Sequence, residues 1–163
     1  MRKLRVILLA LTLLLGAPGW WFLSLEQAPA PQLSGELHED QLNWDGLERR
    51  YTWYEPSELA AQPALVLVMH GSMGSPAQAR AGYAYAFDRL ADEHGFLVVY
   101  PHGFEDHFNG CRKQGPYAAN LQQVDDGGFR SELVSRFVES HNANADAVFA
   151  TGISNGGQLA LRV

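Results

Sequence analysis

Hydrophobic and polar positions change rhythm part-way along this chain. Leu37, Leu42 and Trp44 lead into Asp45-Gly46, and Leu47 to Glu55 then alternates, with Tyr51 and Trp53 among its aromatic positions. Asp-Gly between two such runs predicts a hairpin, because both central residues of the tight turn need positive φ. Pro56 ends the second strand. Beyond it the apolar runs become continuous: Leu65-Val66-Leu67-Val68-Met69, Phe96-Leu97-Val98-Val99-Tyr100 and Val148-Phe149-Ala150. Unbroken runs predict strands buried on both faces, as in a parallel sheet covered by helices. One helix is expected from Ser75, with Pro76 in its first turn. It presents Tyr83, Phe87, Leu90 and Ala91 on one face and stops at Gly95, with His94 in the last turn. A second is expected from near Asp125-Asp126, read as a cap, to about His141, with Phe129, Leu133 and Phe137 on one face. Strand, helix, strand, helix, strand behind a hairpin is a doubly wound α/β arrangement.

The N-terminus obeys a different logic. Arg2, Lys3 and Arg5 precede an apolar run from Val6 to Leu25, interrupted at Thr12, Gly16, Pro18, Gly19 and Ser24. A basic stretch followed by an apolar one is a targeting segment. Pro18 and Gly19 argue against a buried core helix. Two fates stay open. Ala28-Pro29-Ala30 has the form of a cleavage site, but Pro31 follows it directly; a run of about 20 residues also just spans a bilayer. Either fate places the rest of the chain outside the cytoplasm. Residues 1–25 are therefore expected as signal peptide or membrane anchor, 26–35 as a linker, and 36–163 as the folded part. The expected location is secreted, extracellular or periplasmic, and anchored if the first segment is retained.

Charge narrows the partners. The 163 residues carry a net charge of −6, which falls to −9 without the three cations of residues 1–25. An acidic domain repels polyphosphate, so no nucleic acid is expected, and a membrane only through an uncleaved N-terminus. Cys111 is the single cysteine and has no disulfide partner in this chain.

The candidate chemistry follows the last apolar run. Gly152-Ile153-Ser154-Asn155-Gly156 fits a nucleophile elbow, a strand-to-helix turn so sharp that side chains two residues either side of the serine would collide. It lifts Ser154 as the nucleophile and offers the Asn155 backbone N–H to an oxyanion. The first apolar run ends in Met69-His70-Gly71-Ser72, where the Ser72 backbone N–H is the expected second oxyanion donor. His70 itself reads as a structural side chain of that turn. His38, His102, His107 and His141 show no metal spacing, and neither metal nor cofactor is expected. The segment from Asn109 to Gln122 is a candidate pocket lining.

These residues carry a resemblance. Val68-Met69-His70-Gly71, Phe96 to Pro101, Val124-Asp125-Asp126-x-Gly128-Phe129 and Phe149 to Gly157 together resemble the polyhydroxybutyrate depolymerase and feruloyl-esterase-like group of α/β-hydrolases, over about Leu37 to Val163. The resemblance implies an incomplete α/β-hydrolase fold, with an N-terminal hairpin plus three buried parallel strands and covering helices, so that 36–163 is the N-terminal part of such a domain. It also implies a secreted serine esterase that cleaves polyester or aromatic-acid esters through an acyl-enzyme on Ser154. One departure stands out. The triad order of the fold is Ser, then Asp or Glu, then His, yet the nine residues after Ser154 contain neither acid nor histidine. The expectation is a truncated chain lacking triad acid and base, with a last strand left as an exposed edge, with Leu159 and Leu161 poorly buried, and with poor solubility. Two other readings stay open: a non-catalytic remnant or binding module, and a serine peptidase of the same fold. The oligomeric state is not specified.

Overall fold

Asp45 and Gly46 both adopt positive φ, 52° and 76°, and close the turn between β1 (Glu36–Trp44) and β2 (Leu47–Glu55). The computed structural model describes residues 29–112 and 115–162. Its five-stranded sheet has the order β1-β2-β4-β3-β5, where β3 is Leu65–Met69, β4 is Leu97–Pro101 and β5 is Val148–Gly152. β3 runs parallel to both β4 and β5, and β2 joins the parallel part antiparallel to β4. Helices α1 (Pro76–Gly82), α2 (Ala86–His94), α3 (Ala118–Leu121), α4 (Asp126–His141) and α5 (Asn155–Ala160) complete the molecule.

Successive strand residues point to opposite faces, so each run feeds two cores. Leu65, Leu67, Leu97 and Val99 pack with Phe129, Leu133 and Phe137 of α4, the three residues expected on its inner face. Val68, Val98 and Tyr100 pack with Ala79 of α1 and Ala91 of α2. Helices thus cover both faces.

Three expectations are corrected. The single helix expected from Ser75 to Gly95 is two helices, broken at Ala84 and Tyr85, whose φ values are 50° and 56°. Ser75 does cap the first, accepting from the Gln78 amide, and Gly95 does end the second in the left-handed region. The break serves a buried ion pair: Arg80 Nε donates to Asp88 Oδ2 at 2.8 Å, and the Tyr100 hydroxyl donates to Asp88 Oδ1 at 2.6 Å. In one straight helix residues eight apart would be separated by about 12 Å at 1.5 Å per residue. Asp88 takes the inward position, and Leu90, expected inward, is exposed. Second, β5 is not buried on both faces. Among the described residues it lies at the sheet edge, as expected of the last strand, and Phe149 is 59% exposed. Third, Leu159 is buried beside Met69 and Phe108, although Leu161 is exposed as expected.

The expected targeting segment, residues 1–25, and residues 26–28 of the expected linker lie outside the described residues. Among the described residues no helix is long and apolar enough to cross a membrane. Within the segment read as linker, Leu33 packs on the α1–α2 face of the sheet, and Ser34 donates from its amide (2.9 Å) and hydroxyl (2.8 Å) to Asp92.

Candidate active site

The turn after β5 is built by two glycines. A β-carbon on Gly152 would lie 2.6 Å from the Gly156 carbonyl carbon and 2.8 Å from the Met69 oxygen. One on Gly156 would run into the His70 carbonyl oxygen and sit 2.5 Å from that of Met69. Only residues without side chains let the start of α5 press onto the end of β3 this closely. Between them Ser154 is exposed and takes φ 51° and ψ −113°, outside every region that a side-chain-bearing residue ordinarily occupies.

β3 and β5 are neighbours in register, with Met69 opposite Gly152, so the turns that follow them meet. A β-carbon on Gly71 would stand 3.7 Å from the Ser154 β-carbon and 3.5 Å from Ile153 Cγ2. The meeting point lies beyond the carboxyl ends of adjacent strands whose connections leave for opposite faces, where open α/β sheets bind ligands. Among the described residues, the backbone amides of Ser72 and Asn155 donate to no backbone acceptor.

His70 holds its turn. The buried ring donates from Nδ1 to the Gly71 carbonyl at 2.7 Å, and Nε2 accepts from the Gly103 amide at 3.0 Å. That pattern is the neutral tautomer, and burial lowers the imidazole pKa below its ordinary value. The Met73 amide adds a bond to the Asp106 carbonyl, 2.9 Å, tying the turn to the loop after β4.

The sequence reading used only the main chain of Asn155; the structure shows what its side chain does. Buried, it accepts from the Phe108 amide at 2.7 Å and returns a bond from Nδ2 to the Phe108 carbonyl at 2.8 Å. The next residue, Asn109, donates its amide to Asp126 Oδ2 at 2.6 Å, and Asp126 is ion-paired with Arg49 in the interior. Burial raises the Asp126 carboxyl pKa, against the opposing pull of Arg49 and the Asn109 amide. Asp125 alone is the helix cap, accepting from the Gly128 amide at 2.9 Å; reading both aspartates as capping is corrected for Asp126. Arg49 was missed, and its signal was present: a cation in phase with Leu47, Tyr51 and Trp53.

The other candidates have partners of their own. His102 approaches Asp106 at 3.1 Å, His38 stacks on Trp53 and His141 on Phe137, and His107 stacks on Tyr117. Asn109, Gly110, Cys111 and Arg112 do line a hollow of about 420 Å³. Cys111 is exposed and its thiol donates to the Gln158 carbonyl.

A mixed sheet of this order, with a strained serine turn after β5 set against the turn after β3, is the α/β-hydrolase fold, and solved structures share it. An acetyl xylan esterase from Aspergillus awamori aligns with TM-score 0.52 and 20% identity over 73% of this chain and 43% of its own. An esterase from the archaeon Pyrobaculum calidifontis aligns with TM-score 0.57 and 21% identity over 83% and 39%. At the level of sequence the chain is similar to acetylxylan esterase A of Aspergillus oryzae, 31% identical over 110 residues, which is 65% of this chain and 34% of that protein. The corresponding enzyme of Talaromyces purpureogenus is 30% identical over 117 residues, 65% of this chain and 27% of its own length. The match spans about a third of the curated relatives or less. No family model matches the chain.

Proposed function

We propose that this chain carries the nucleophile and oxyanion donors of an exported α/β-hydrolase that cleaves carboxylic esters. The observation that carries the reading is the backbone of Ser154: an exposed serine in a disfavoured conformation, flanked by sterically required glycines, beside a turn with an unpaired amide. In the reaction the Ser154 Oγ attacks the ester carbonyl, and charge developing on the carbonyl oxygen is received by the Ser72 and Asn155 amides. The alkoxide departs with a proton, and water then releases the acid from the acyl-serine.

The proton needs a carrier. His70 cannot take it, because both ring nitrogens are engaged with backbone. The reading therefore requires an acid and a base beside Ser154 other than His70. The similarity to acetylxylan esterases favours acetyl groups on a plant polysaccharide; the sequence resemblance favours feruloyl or polyester bonds. All three are neutral esters of a polymer. The basic, then apolar, N-terminal segment supports export.

A fluorophosphonate probe tests the reading. One equivalent is expected on Ser154, located by peptide mass spectrometry, with none on Ser154→Ala. Hydrolysis of p-nitrophenyl acetate should be lost in the same variant. An unlabelled, folded wild type would leave a binding module or remnant instead, and preferential cleavage of peptides would leave a peptidase.

A further inference from the structure

A hollow of about 280 Å³ opens on the α1 side of the serine turn. Ser72 and Met73 of the β3 turn form one wall, Ala79, Gly82 and Tyr83 of the first helix form another, and Ile153, the residue before the serine, closes the end. We propose that this hollow receives the acyl chain of the ester, and that it selects uncharged acyl groups larger than acetyl. The proposal rests on Ser154 being the nucleophile.

Position comes first. The hollow shares Gly71 and Ile153 with the contact that brings the β3 turn to Ser154. An acyl carbon bonded to Ser154 Oγ therefore has the hollow as its neighbour across Gly71 and Ile153. Size and shape come second. The volume sits at the lower edge of the range for small-molecule sites, about 300–1,000 Å³. It exceeds what an acetyl methyl fills. Chemistry comes third. Among the described lining residues there is no Asp, Glu, Lys or Arg, and the one histidine, His70, is the neutral ring already bonded to backbone. The larger groove near the hairpin is the opposite, with Glu39, Asp40, Arg50 and Arg80 along it. A carboxylate or phosphate on the acyl group would lose water in the smaller hollow without meeting a counter-charge.

Gly82 is one of the lining residues. A β-carbon there meets nothing within 4 Å, so this position at the hollow's rim accepts a side chain that occupies space without disturbing the core.

The test compares two p-nitrophenyl alkylphosphonates, methyl and butyl, as inactivators of the protein with the acid and base of the esterase reading in place, followed by intact mass. Labelling forms the Ser154 Oγ–phosphorus bond, expels p-nitrophenolate and gives the hydroxyl proton to that base. Each buried methylene adds about fourfold, so the butyl reagent is expected to label at least about tenfold faster than the methyl. Gly82→Trp should bring the butyl-to-methyl ratio close to one, and Gln78→Leu, which makes the rim more apolar, should raise it. Circular dichroism melts confirm that each variant is folded. If neither reagent labels Ser154 in the wild type, the esterase reading falls and the acyl hollow falls with it. If both label at similar rates, or if the ratio ignores Gly82→Trp, the hollow is overturned while the nucleophile stands.

Discussion

Ser154 stands in a backbone conformation that costs of the order of 1–3 kcal/mol and persists only where its surroundings over-determine it. Here they do. Gly156 seats the start of α5 on the Met69 and His70 carbonyls, and the Asn155 side chain grips both polar atoms of the Phe108 peptide backbone. His70 does the same for the facing turn, and its protonation state is therefore a stability switch. A proton on Nε2 would put two donors face to face, that nitrogen and the Gly103 amide. Burial lowers the folded pKa below the ordinary value of 6.5, so below that pH the unfolded chain binds more protons than the folded one. The contribution of His70 is fully present above about pH 6.5 and is lost as pH falls through the lower folded value. The stability difference between wild type and His70→Gln, measured by urea denaturation, should shrink from about pH 7.5 to about pH 5. His102, whose ring centre lies 5.6 Å away, and His107 push the His70 pKa in the same downward direction, while Asp106 opposes them. A difference that stays constant across that range would show that the imidazole is not held neutral.

At the scale of elements, the Arg49–Asp126 pair fastens β2 to the first turn of α4 and, through Asn109, to the loop that grips Asn155. Both side chains are almost wholly buried, and the guanidinium also lies 4.2 Å over the Phe129 ring. Removing one partner strands a buried charge, so Asp126→Asn should cost about 3–5 kcal/mol. Replacing both, Arg49→Met with Asp126→Leu, should cost clearly less than the two single changes added, as a double-mutant cycle in guanidinium chloride would read. Strict additivity would mean that the pair is not coupled. This pair also marks where sequence reasoning stopped. The hairpin turn, the three apolar strands and the inner face of α4 were legible because each is written in neighbouring residues: Asp45-Gly46, unbroken Val and Leu, and Phe129, Leu133, Phe137 at helical spacing. The elbow was legible because its Gly-x-Ser-x-Gly spacing is local, although the contacts that exclude side chains at Gly152 and Gly156 reach across to the Met69 and His70 carbonyls at the end of β3. The Asn155–Phe108 grip joins positions 47 apart and Arg49–Asp126 positions 77 apart. No local pattern announces them. The split of the helix at Ala84 and Tyr85 escaped for a related reason: what drives it is the meeting of Arg80 with Asp88 and of Asp88 with Tyr100 on another strand.

Over the whole molecule the two edges of the sheet are unlike. β1 closes one edge with Glu36, His38, Asp40 and other polar residues, the charged dress that discourages strand-to-strand association. β5 forms the other with a row that pairs only with β3 among the described residues. Near it Phe149, Ile153 and Leu161 are 59%, 57% and 80% exposed. Long-range repulsion from a net charge of −6 is screened beyond about 8 Å at physiological salt, so it does not protect an apolar edge at contact. The 163-residue chain is thus expected to self-associate through β5 as its concentration rises. Phe149→Lys places a charge in the middle of that edge at small cost to the core, because the phenyl ring is already mostly in water. In sedimentation velocity across a concentration series, the variant should remain monomeric several-fold beyond the point at which wild type begins to associate. Its melting temperature should stay within a few degrees of wild type, as for a surface change of about 0.5 kcal/mol or less. Equal association in both proteins would move the sticky surface away from β5 and leave Leu161, at the far end of α5, as the residue to change next.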